Sequence, residues 1–187
     1  MIATLKTNRL SLRPIGAEDI PAFVPLLNEF DVVRNLTHVP HPYTQADGRE
    51  FIALTEKKRS EGMVLNYAVL AADDSFVGFC TANIEDDGDK RYPASRELGY
   101  WYGKPFWGRG YATEAAEAVV RHAFDVLGAS VLTAGYYVDN PASGRVLKKL
   151  GFEKTGTAIR NCRSRGCTVM ANEVLLTREA FEGRPRG

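Results

Sequence analysis

The segment that most constrains this chain is a glycine-containing run, WGRGYAT, at residues 107–113. A short aromatic stretch, ELGYWY, precedes it at residues 97–102 and has the composition of a buried strand. After the run, apolar residues recur at helical spacing: Ala112, Ala115, Ala116, Val119, Val120, Ala123, Phe124 and Leu127. The glycines therefore lie where a strand turns into a helix. Backbone N–H groups at a helix start have no partner within the helix and carry partial positive charge, so this turn is suited to hold a phosphate.

Two well-known phosphate-binding loops do not fit this run. A nucleoside-triphosphate loop closes with Gly-Lys-Ser/Thr, and no such triplet occurs in the chain. A dinucleotide loop needs a third glycine three residues after the second, and that position is Thr113. A compact loop that can hold one pyrophosphate remains. The alternative is a helix start in which glycine serves only a tight turn.

A second helix start follows at residues 139–152, DNPASGRVLKKLGF, after a strand-like stretch at residues 131–138. Asn140 has the chemistry of an N-cap, and Pro141 suits the first helical position. One apolar face is formed by Ala142, Val146, Leu147 and Leu150. Gly151 is suited to end this helix. The chain thus has two helices that each begin directly after a strand, which indicates an α/β arrangement.

Together these segments resemble the acyl-CoA site of the GNAT superfamily of N-acetyltransferases. The resemblance is strongest to the branch of the ribosomal-protein N-terminal (alanine) acetyltransferases. That branch is marked by TNRLSLRP at residues 7–14, by WGxGYATEA at residues 107–115, and by NxxS followed by KxLGF within residues 140–152. The similarity extends over nearly the whole chain. One departure from the wider superfamily is Trp107, which stands where Gln or Arg usually opens the pyrophosphate loop.

The resemblance implies an α/β chain with the acyl-CoA N-acyltransferase (GNAT) fold, in which a mixed central sheet of about seven strands is flanked by helices. The whole chain, residues 1–187, is expected to form this single N-acetyltransferase domain. The implied reaction transfers an acetyl group from acetyl-CoA, as co-substrate, to a primary amine that attacks the thioester directly. The amine is a protein N-terminal α-amine or belongs to a small molecule, and a homodimer is left open. The alternative is a catalytically silent acyl-CoA-binding protein that acts as a regulator or sensor.

By the same resemblance, the amides of residues 108–112 hold the pyrophosphate, with charge added by Arg109 and Lys104. Residues 100–102 pair with the pantetheine arm like an added strand. Asn140 bonds to the same arm, with a plain helix cap as its alternative role. The cofactor-binding residues predicted in this way are Tyr100, Trp101, Tyr102, Trp107, Gly108, Arg109, Gly110, Tyr111, Ala112, Thr113, Asn140 and Ser143.

Glu97, at the start of the aromatic strand, is the predicted general base and a predicted contact of the acceptor. A primary amine must lose its proton before it attacks, so a base is useful for an α-amine and for a lysine ε-amine alike. The alternative for Glu97 is an ion pair with a neighbouring arginine, Arg96 or Arg91.

Ser143 is the predicted acid that returns a proton to the departing CoA thiolate, by resemblance to the family. Tyr136 or Tyr137 could take this role instead. The alternative for Ser143 is a local hydrogen bond, which is the commoner behaviour of a serine in the first turn of a helix.

The acceptor site is predicted from weaker signals. Residues 38–43, HVPHPY, are made rigid by two prolines, and Tyr43 is the predicted substrate contact. The alternative is a surface connection between helices. Near the last turn, Arg160, Arg163 and Arg165 are expected to attract a carboxylate or an acidic peptide, or to be solvated.

Composition excludes several other classes of protein. The formal net charge of +1 gives no basic footprint for nucleic acid. No apolar run approaches the roughly 18 residues of a membrane span, and no signal peptide opens the chain, so a cytoplasmic protein is expected. The three cysteines and three histidines lack metal-ligand spacing, so no metal site is predicted. Cys162 and Cys167 are predicted to face each other across a hairpin as free thiols.

Overall fold

All strands in the part of the chain that the computed structural model describes, residues 3–84 and 94–184, join one mixed sheet. The strands are β1 (Leu5–Lys6), β2 (Ser11–Pro14), β3 (Asn66–Leu70), β4 (Phe76–Ile84), β5 (Arg96–Tyr102), β6 (Val131–Tyr137), β7 (Glu153–Cys162) and β8 (Cys167–Thr177). The helices are α1 (Ile20–Leu27), α2 (Phe30–Val33), α3 (Gln45–Ser60), α4 (Tyr111–Asp125), α5 (Pro141–Lys149) and α6 (Arg178–Gly183). Across the sheet the order is β1-β2-β3-β4-β5-β6-β8-β7, antiparallel throughout except for the parallel pair β5 and β6.

The described sheet has eight strands rather than the predicted seven or so, because β1 adds a short edge. Leu5 pairs with Leu12, and residues 7–10 form the turn that joins β1 to β2. The amide of Thr7 donates to the carbonyl of Leu10 at 2.9 Å and closes this turn. Strand β2 therefore begins only at Ser11, and Arg9 belongs to the turn.

The helix starts follow the local chemistry of the sequence. At the start of α3, the Thr44 side chain accepts from the amide of Asp47 at 3.2 Å, and the Asp47 carboxylate accepts from the amide of Thr44 at 2.8 Å. This reciprocal capping box is typical of a Thr that stands three residues before an acidic residue at a helix start. Helix α1 ends with Asn28 as its C-cap, and Pro25 lies inside the helix. The Asn28 side chain then donates to the carbonyl of Tyr43 at 2.6 Å and ties the following loop to the helix.

Among the described residues, two large apolar cores cover the two faces of the sheet. The larger core packs α4, α5 and α6 against one face, and the apolar stripe of α4 is buried there as its spacing predicts. The smaller core packs α1, α2 and α3 against the other face. Since successive strand residues point to opposite faces, β3 supplies both cores: Tyr67 and Val69 to the larger, Ala68 and Leu70 to the smaller.

The last hairpin, β7 and β8, lies at the far edge of the sheet. Cys162 and Cys167 pair in register across its turn, and both are free thiols. Cys162 is buried and its sulfur lies 3.5 Å from the carbonyl oxygen of Arg34, so the hairpin tip contacts the segment after α2. None of the described helices is long and apolar enough to cross a bilayer.

Candidate active site

The sheet splits between β5 and β6, and a cleft opens at the split. β5 pairs with β4 as far as Tyr102, but its pairing with β6 ends at Glu97, which lies opposite Thr133. Beyond that point, the backbone edge of residues 98–102 has no strand partner on the β6 side. The cleft has a volume of about 730 Å³, within the range of about 300–1,000 Å³ that is common for ligand sites.

The cleft gathers most of the residues that the sequence predicted for cofactor and catalysis. Those that line it are Glu97, Tyr100, Trp101, Tyr102, Trp107, Gly108, Gly110, Tyr111, Ala112, Thr113, Asn140 and Ser143. Two predicted site residues, Arg109 and Tyr43, do not line it. The predicted residues come from three separate stretches of sequence, and the split of the sheet brings these stretches to one place.

The loop between β5 and α4 takes a backbone shape that glycine permits. The φ angles of Gly108 and Gly110 are 75° and 79°, and Gly110 is the N-cap of α4. Other residues reach this left-handed region only at a cost of roughly 1–2 kcal/mol. Among the described residues, no hydrogen bond uses an amide of residues 108–113 as its donor. These amides lie at the positive end of a helix and are available to an anion, so the loop fits the diphosphate of the predicted cofactor.

Trp107 ties this loop to the end of β5. Its indole N–H donates to the carbonyl of Tyr102 at 2.7 Å. The two cations expected near the diphosphate are directed elsewhere: the Arg109 guanidinium lies 5.8 Å from the centre of the Phe106 ring, and the Lys104 ammonium pairs with Asp31 at 2.6 Å. The loop therefore presents main-chain donors to the cleft rather than these side-chain charges.

The start of α5 supplies a second set of polar groups. The Asn140 side-chain oxygen accepts from the amide of Ser143 at 3.3 Å, so Asn140 is a helix cap whose amide nitrogen stays available as a donor. The Ser143 hydroxyl lies 3.0 Å from the hydroxyl of Tyr100 on β5. Burial raises the pKa of Tyr100 well above its usual value, so this phenol stays protonated. Gly144 lets α5 approach β6, because a Cβ there would lie 2.7 Å from the ring of Tyr136.

Glu97 lies at the vertex of the split, with 39% of its side chain exposed. Among the described residues, its ion-pair partner is Arg160 on β7, at 3.5 Å, and the same guanidinium binds Glu173 on β8 at 2.7 Å. Burial lowers the pKa of Arg160, but the hydrogen bond to Glu173 and the charges of both carboxylates raise it above its usual value. Arg96 is not the partner of Glu97, since its side chain is buried and donates to a carbonyl of β4. Arg91, the other expected partner, lies outside the described residues.

Two arginines near the mouth of the cleft share one carboxylate. Arg165 binds the carboxylate of Asp139 at 2.7 Å, and Arg34 reaches the same carboxylate at 3.1 Å. The hydrogen bond from Arg165 and the charges of both arginines hold the pKa of Asp139 below its usual value. The expectation that Arg160 and Arg165 attract an acidic acceptor is therefore not supported, because both guanidinium groups are engaged by carboxylates of this chain.

Two tyrosines that the sequence offered for the site belong to packed regions instead. Tyr43 is 6% exposed, its ring centre lies 6.3 Å from that of Phe23, and burial raises its pKa to about 12. The prediction that Tyr43 contacts the acceptor is thus corrected, because the smaller core takes up its ring. Tyr137 is also buried, and its hydroxyl donates to Thr37 at 3.3 Å, so it does not share the cleft with Tyr136.

The N-terminal turn makes a further contact with the glycine loop that sequence reasoning missed. Arg9 donates to the carbonyl of Arg109 at 2.9 Å, and Arg9 and Thr7 both bind the carboxylate of Glu114 at 2.7 Å. About a hundred residues separate the two sides of this contact, which no local pattern can indicate. Within residues 3–84 and 94–184, no cluster of three or more His, Cys, Asp or Glu side chains could hold a metal ion.

Comparison with known proteins agrees with this geometry. Residues 9–153 match the acetyltransferase (GNAT) domain family. The probable N-acetyltransferase YjcK of Bacillus subtilis (strain 168) is 41% identical over 166 residues, which cover 87% of this chain and 90% of YjcK.

Solved structures show the same fold. RimJ of Mycobacterium smegmatis, in complex with CoA-disulfide, superposes on this chain with a TM-score of 0.83 at 20% identity. The superposition covers 97% of this chain and 90% of the RimJ chain. The ribosomal-protein-S5-alanine acetyltransferase of Vibrio fischeri gives a TM-score of 0.80 at 16% identity, with 96% and 99% of the two chains covered. The predicted fold, co-substrate and reaction class are confirmed. The chain belongs to the GNAT acetyltransferase family and is an N-acetyltransferase that transfers an acetyl group from acetyl-CoA to an amine.

Proposed function

We propose that residues 108–113 hold the diphosphate of acetyl-CoA and that the open edge of residues 98–102 holds its pantetheine arm. The support for the first assignment is the set of loop amides without a protein acceptor at the start of α4. The support for the second is the end of the β5–β6 pairing at Glu97, which leaves main-chain groups to bind an extended ligand as a further strand would. Asn140 caps α5 through its oxygen and donates to the arm through its nitrogen, so both roles considered for it are compatible.

We propose that Glu97 is the general base. It lies where β5 and β6 part, and there the open edge that would hold the arm begins. Its one ion-pair contact among the described residues, with Arg160, is long at 3.5 Å, so the carboxylate keeps the capacity to accept a proton from the incoming amine. The position of Glu97 at the split between β5 and β6 is the observation that carries the assignment.

We propose that Ser143 protonates the CoA thiolate as it leaves. The hydroxyl of Tyr100 lies within hydrogen-bond distance of the Ser143 hydroxyl, and Tyr100 stays protonated. The phenol of Tyr100 can donate to the Ser143 carbonyl, at 3.2 Å, or to the Ser143 hydroxyl, and donation to the hydroxyl leaves the serine proton free for the sulfur. Since a free thiol ionises near pH 8.5, loss of this acid is expected to cost less than loss of the base.

The proposed acceptor is a primary amine, either a protein N-terminal α-amine or the amine of a small molecule. An α-amine with a pKa of about 8 is largely protonated at pH 7, and a lysine ε-amine with a pKa of about 10.4 is almost fully so, hence both require a base. The proposed compartment is the cytoplasm, where the three cysteines would remain the free thiols described here. The homodimer stays a prediction that analytical ultracentrifugation can check.

Release of CoA thiol with a panel of N-terminal peptides, polyamines and aminoglycosides tests this function. Turnover is expected with at least one member of the panel, and Glu97→Gln is expected to lower kcat by a factor of about 10²–10⁴ without changing CoA affinity. Glu173→Gln is the matched control, because it removes the other carboxylate on Arg160 and lies outside the cleft lining. Tight CoA binding without turnover on the whole panel would favour the silent sensor. If the pH–rate profile of Glu97→Gln equals that of the unmutated protein, Glu97 is not the base.

A further inference from the structure

The first turn of α4 carries a carboxylate at the end of the helix that would receive the diphosphate. Glu114 is the acidic residue of this turn, and its amide forms the first hydrogen bond of the helix, to the carbonyl of Gly110 at 3.1 Å. A negative charge stabilises a helix start, and for the same reason it competes with an anion that binds there. An unpaired Glu114 would therefore oppose the binding of a diphosphate to the neighbouring amides.

The N-terminal turn neutralises this carboxylate. One oxygen of Glu114 accepts from the Thr7 hydroxyl at 2.7 Å and from the amide of Arg9 at 2.8 Å. The other oxygen accepts from the Arg9 guanidinium at 2.7 Å. Burial opposes ionisation, but the hydrogen bonds from Thr7 and Arg9 hold the pKa of Glu114 below its usual value. The carboxylate is 17% exposed, so this pairing is partly shielded from solvent.

The same guanidinium also fixes the direction of a peptide group in the loop. Arg9 donates through Nη1 to the carbonyl of Arg109 at 2.9 Å, and its Cζ lies 5.1 Å from the centre of the Tyr111 ring. In a planar trans peptide the C=O and the following N–H point in opposite directions. Because the carbonyl of Arg109 points to Arg9, the N–H of Gly110 points away from it. Gly110 lines the cleft, whereas Arg9 does not.

We propose that Arg9 is a positioning residue of the diphosphate loop, which holds the Gly110 amide towards the cleft and cancels the charge of Glu114 beside the bound anion. This proposal rests on the assignment of residues 108–113 to the diphosphate. It makes the N-terminal turn part of the cofactor site although it lies outside the cleft lining.

The affinity of the full-length protein for CoA, measured by titration calorimetry, tests this proposal. Arg9→Gln is expected to weaken CoA binding roughly 10- to 160-fold, the range for losing a hydrogen bond to a charged group. Adding Glu114→Gln to Arg9→Gln is expected to restore part of the CoA affinity, because the unpaired negative charge of Glu114 is then removed. Glu114→Gln alone keeps the Arg9–Arg109 contact and is expected to bind CoA within about threefold of the unmutated protein, a change of about 0.6 kcal/mol or less.

Arg13→Gln is the matched control for a general effect on stability. Arg13 lies on β2 and pairs with Asp19 at 2.6 Å, on the side away from α4, so its loss should lower stability and leave CoA affinity unchanged. S-acetylpantetheine, a donor without a diphosphate, gives a second readout. Arg9→Gln should lower kcat/KM for acetyl-CoA and leave kcat/KM for S-acetylpantetheine unchanged.

Equal CoA affinity of Arg9→Gln and the unmutated protein would overturn the role of Arg9. An equal loss of CoA affinity in Arg13→Gln would do the same, as would an equal loss of kcat/KM for S-acetylpantetheine in Arg9→Gln. If Arg9→Gln does not fold, Arg9→Lys serves instead: it keeps the charge but loses the fork that spans Glu114 and the Arg109 carbonyl, so an intermediate loss is expected. Failure of the unmutated protein to bind CoA would refute the diphosphate assignment itself, which is a separate outcome.

Discussion

Replacement of Gly108 by alanine isolates the contribution of the loop conformation to cofactor binding. Gly108 has φ = 75°, and an added Cβ would meet no atom within 4 Å, so the substitution introduces backbone strain without a clash. Holding alanine in the left-handed region costs about 1–2 kcal/mol. The loop can relieve this strain by rotating the peptide groups on either side of residue 108, which turns their amides away from the cleft.

The expected magnitude follows from the number of amides that rotate. Loss of one hydrogen bond to a charged phosphate oxygen costs about 1.5–3 kcal/mol, which corresponds to roughly 10- to 160-fold weaker binding of CoA. Titration calorimetry with CoA measures this change directly, and urea unfolding measures the accompanying loss of stability. Turnover at saturating acetyl-CoA should change little, because Glu97 and Ser143 do not belong to the loop.

Gly62→Ala is the matched control for this experiment. Gly62 follows the end of α3 with φ = 74°, also has no atom within 4 Å of an added Cβ, and does not line the cleft. Both variants should therefore lose a similar free energy of unfolding, and Gly108→Ala alone should lose CoA affinity. The reasoning fails if both variants keep the CoA affinity of the unmutated protein, or if both lose it to the same extent.

Three further predictions concern single side chains. Tyr100→Phe removes the hydroxyl that contacts Ser143 and should lower kcat about two- to twelvefold at unchanged CoA affinity; a larger KM with constant kcat would contradict this. Tyr43→Ala should lower the free energy of unfolding by about 3–5 kcal/mol, because its ring packs against Phe23, and should leave the KM for the amine unaltered. Burial, followed by the charge of Arg96, lowers the pKa of His122 below that of a free histidine. The free energy of unfolding should therefore fall as the pH drops below about 6.5, because the unfolded chain binds this proton more readily. In denaturant titrations, His122→Gln should weaken this pH dependence.

Features of the fold that depend on short stretches of sequence were predictable. The glycine loop before α4, the capping box at Thr44 and Asp47, and the Asn140 cap each involve residues within four positions of one another. Their hydrogen bonds follow from residue type and spacing, so the sequence carries enough information to place them. The short strand β1 escaped prediction because two residues show no periodicity.

The ion pairs of the site show where prediction from sequence reaches its limit. Glu97 pairs with Arg160, which lies 63 positions away on another strand, and not with the adjacent Arg96. Neighbouring residues of a strand point to opposite faces, so Arg96 could not have reached the Glu97 carboxylate. The contact of Arg9 with Glu114 spans 105 positions and depends on how the first turn of the chain packs on α4. Such contacts are set by tertiary packing, which single-sequence patterns do not encode.

Tyr43 illustrates a different limit. An aromatic residue in a proline-containing loop can cover a ligand or fill a core, and its local sequence is the same in both cases. The Asn28 side chain decides the outcome here, because it binds the amide and the carbonyl of Tyr43 and draws the loop onto α1. The distinction rests on two hydrogen bonds across 15 residues.

The split between β5 and β6 has a consequence for the stability of the protein in a cell. A ligand that completes a sheet contributes to the folded state as well as to the reaction, and its binding raises stability by about 2.7 kcal/mol when its concentration is a hundred times Kd. Resistance of this enzyme to heat and to proteolysis would then rise and fall with the supply of acetyl donor. Its abundance would thereby follow the metabolic state that also sets its rate.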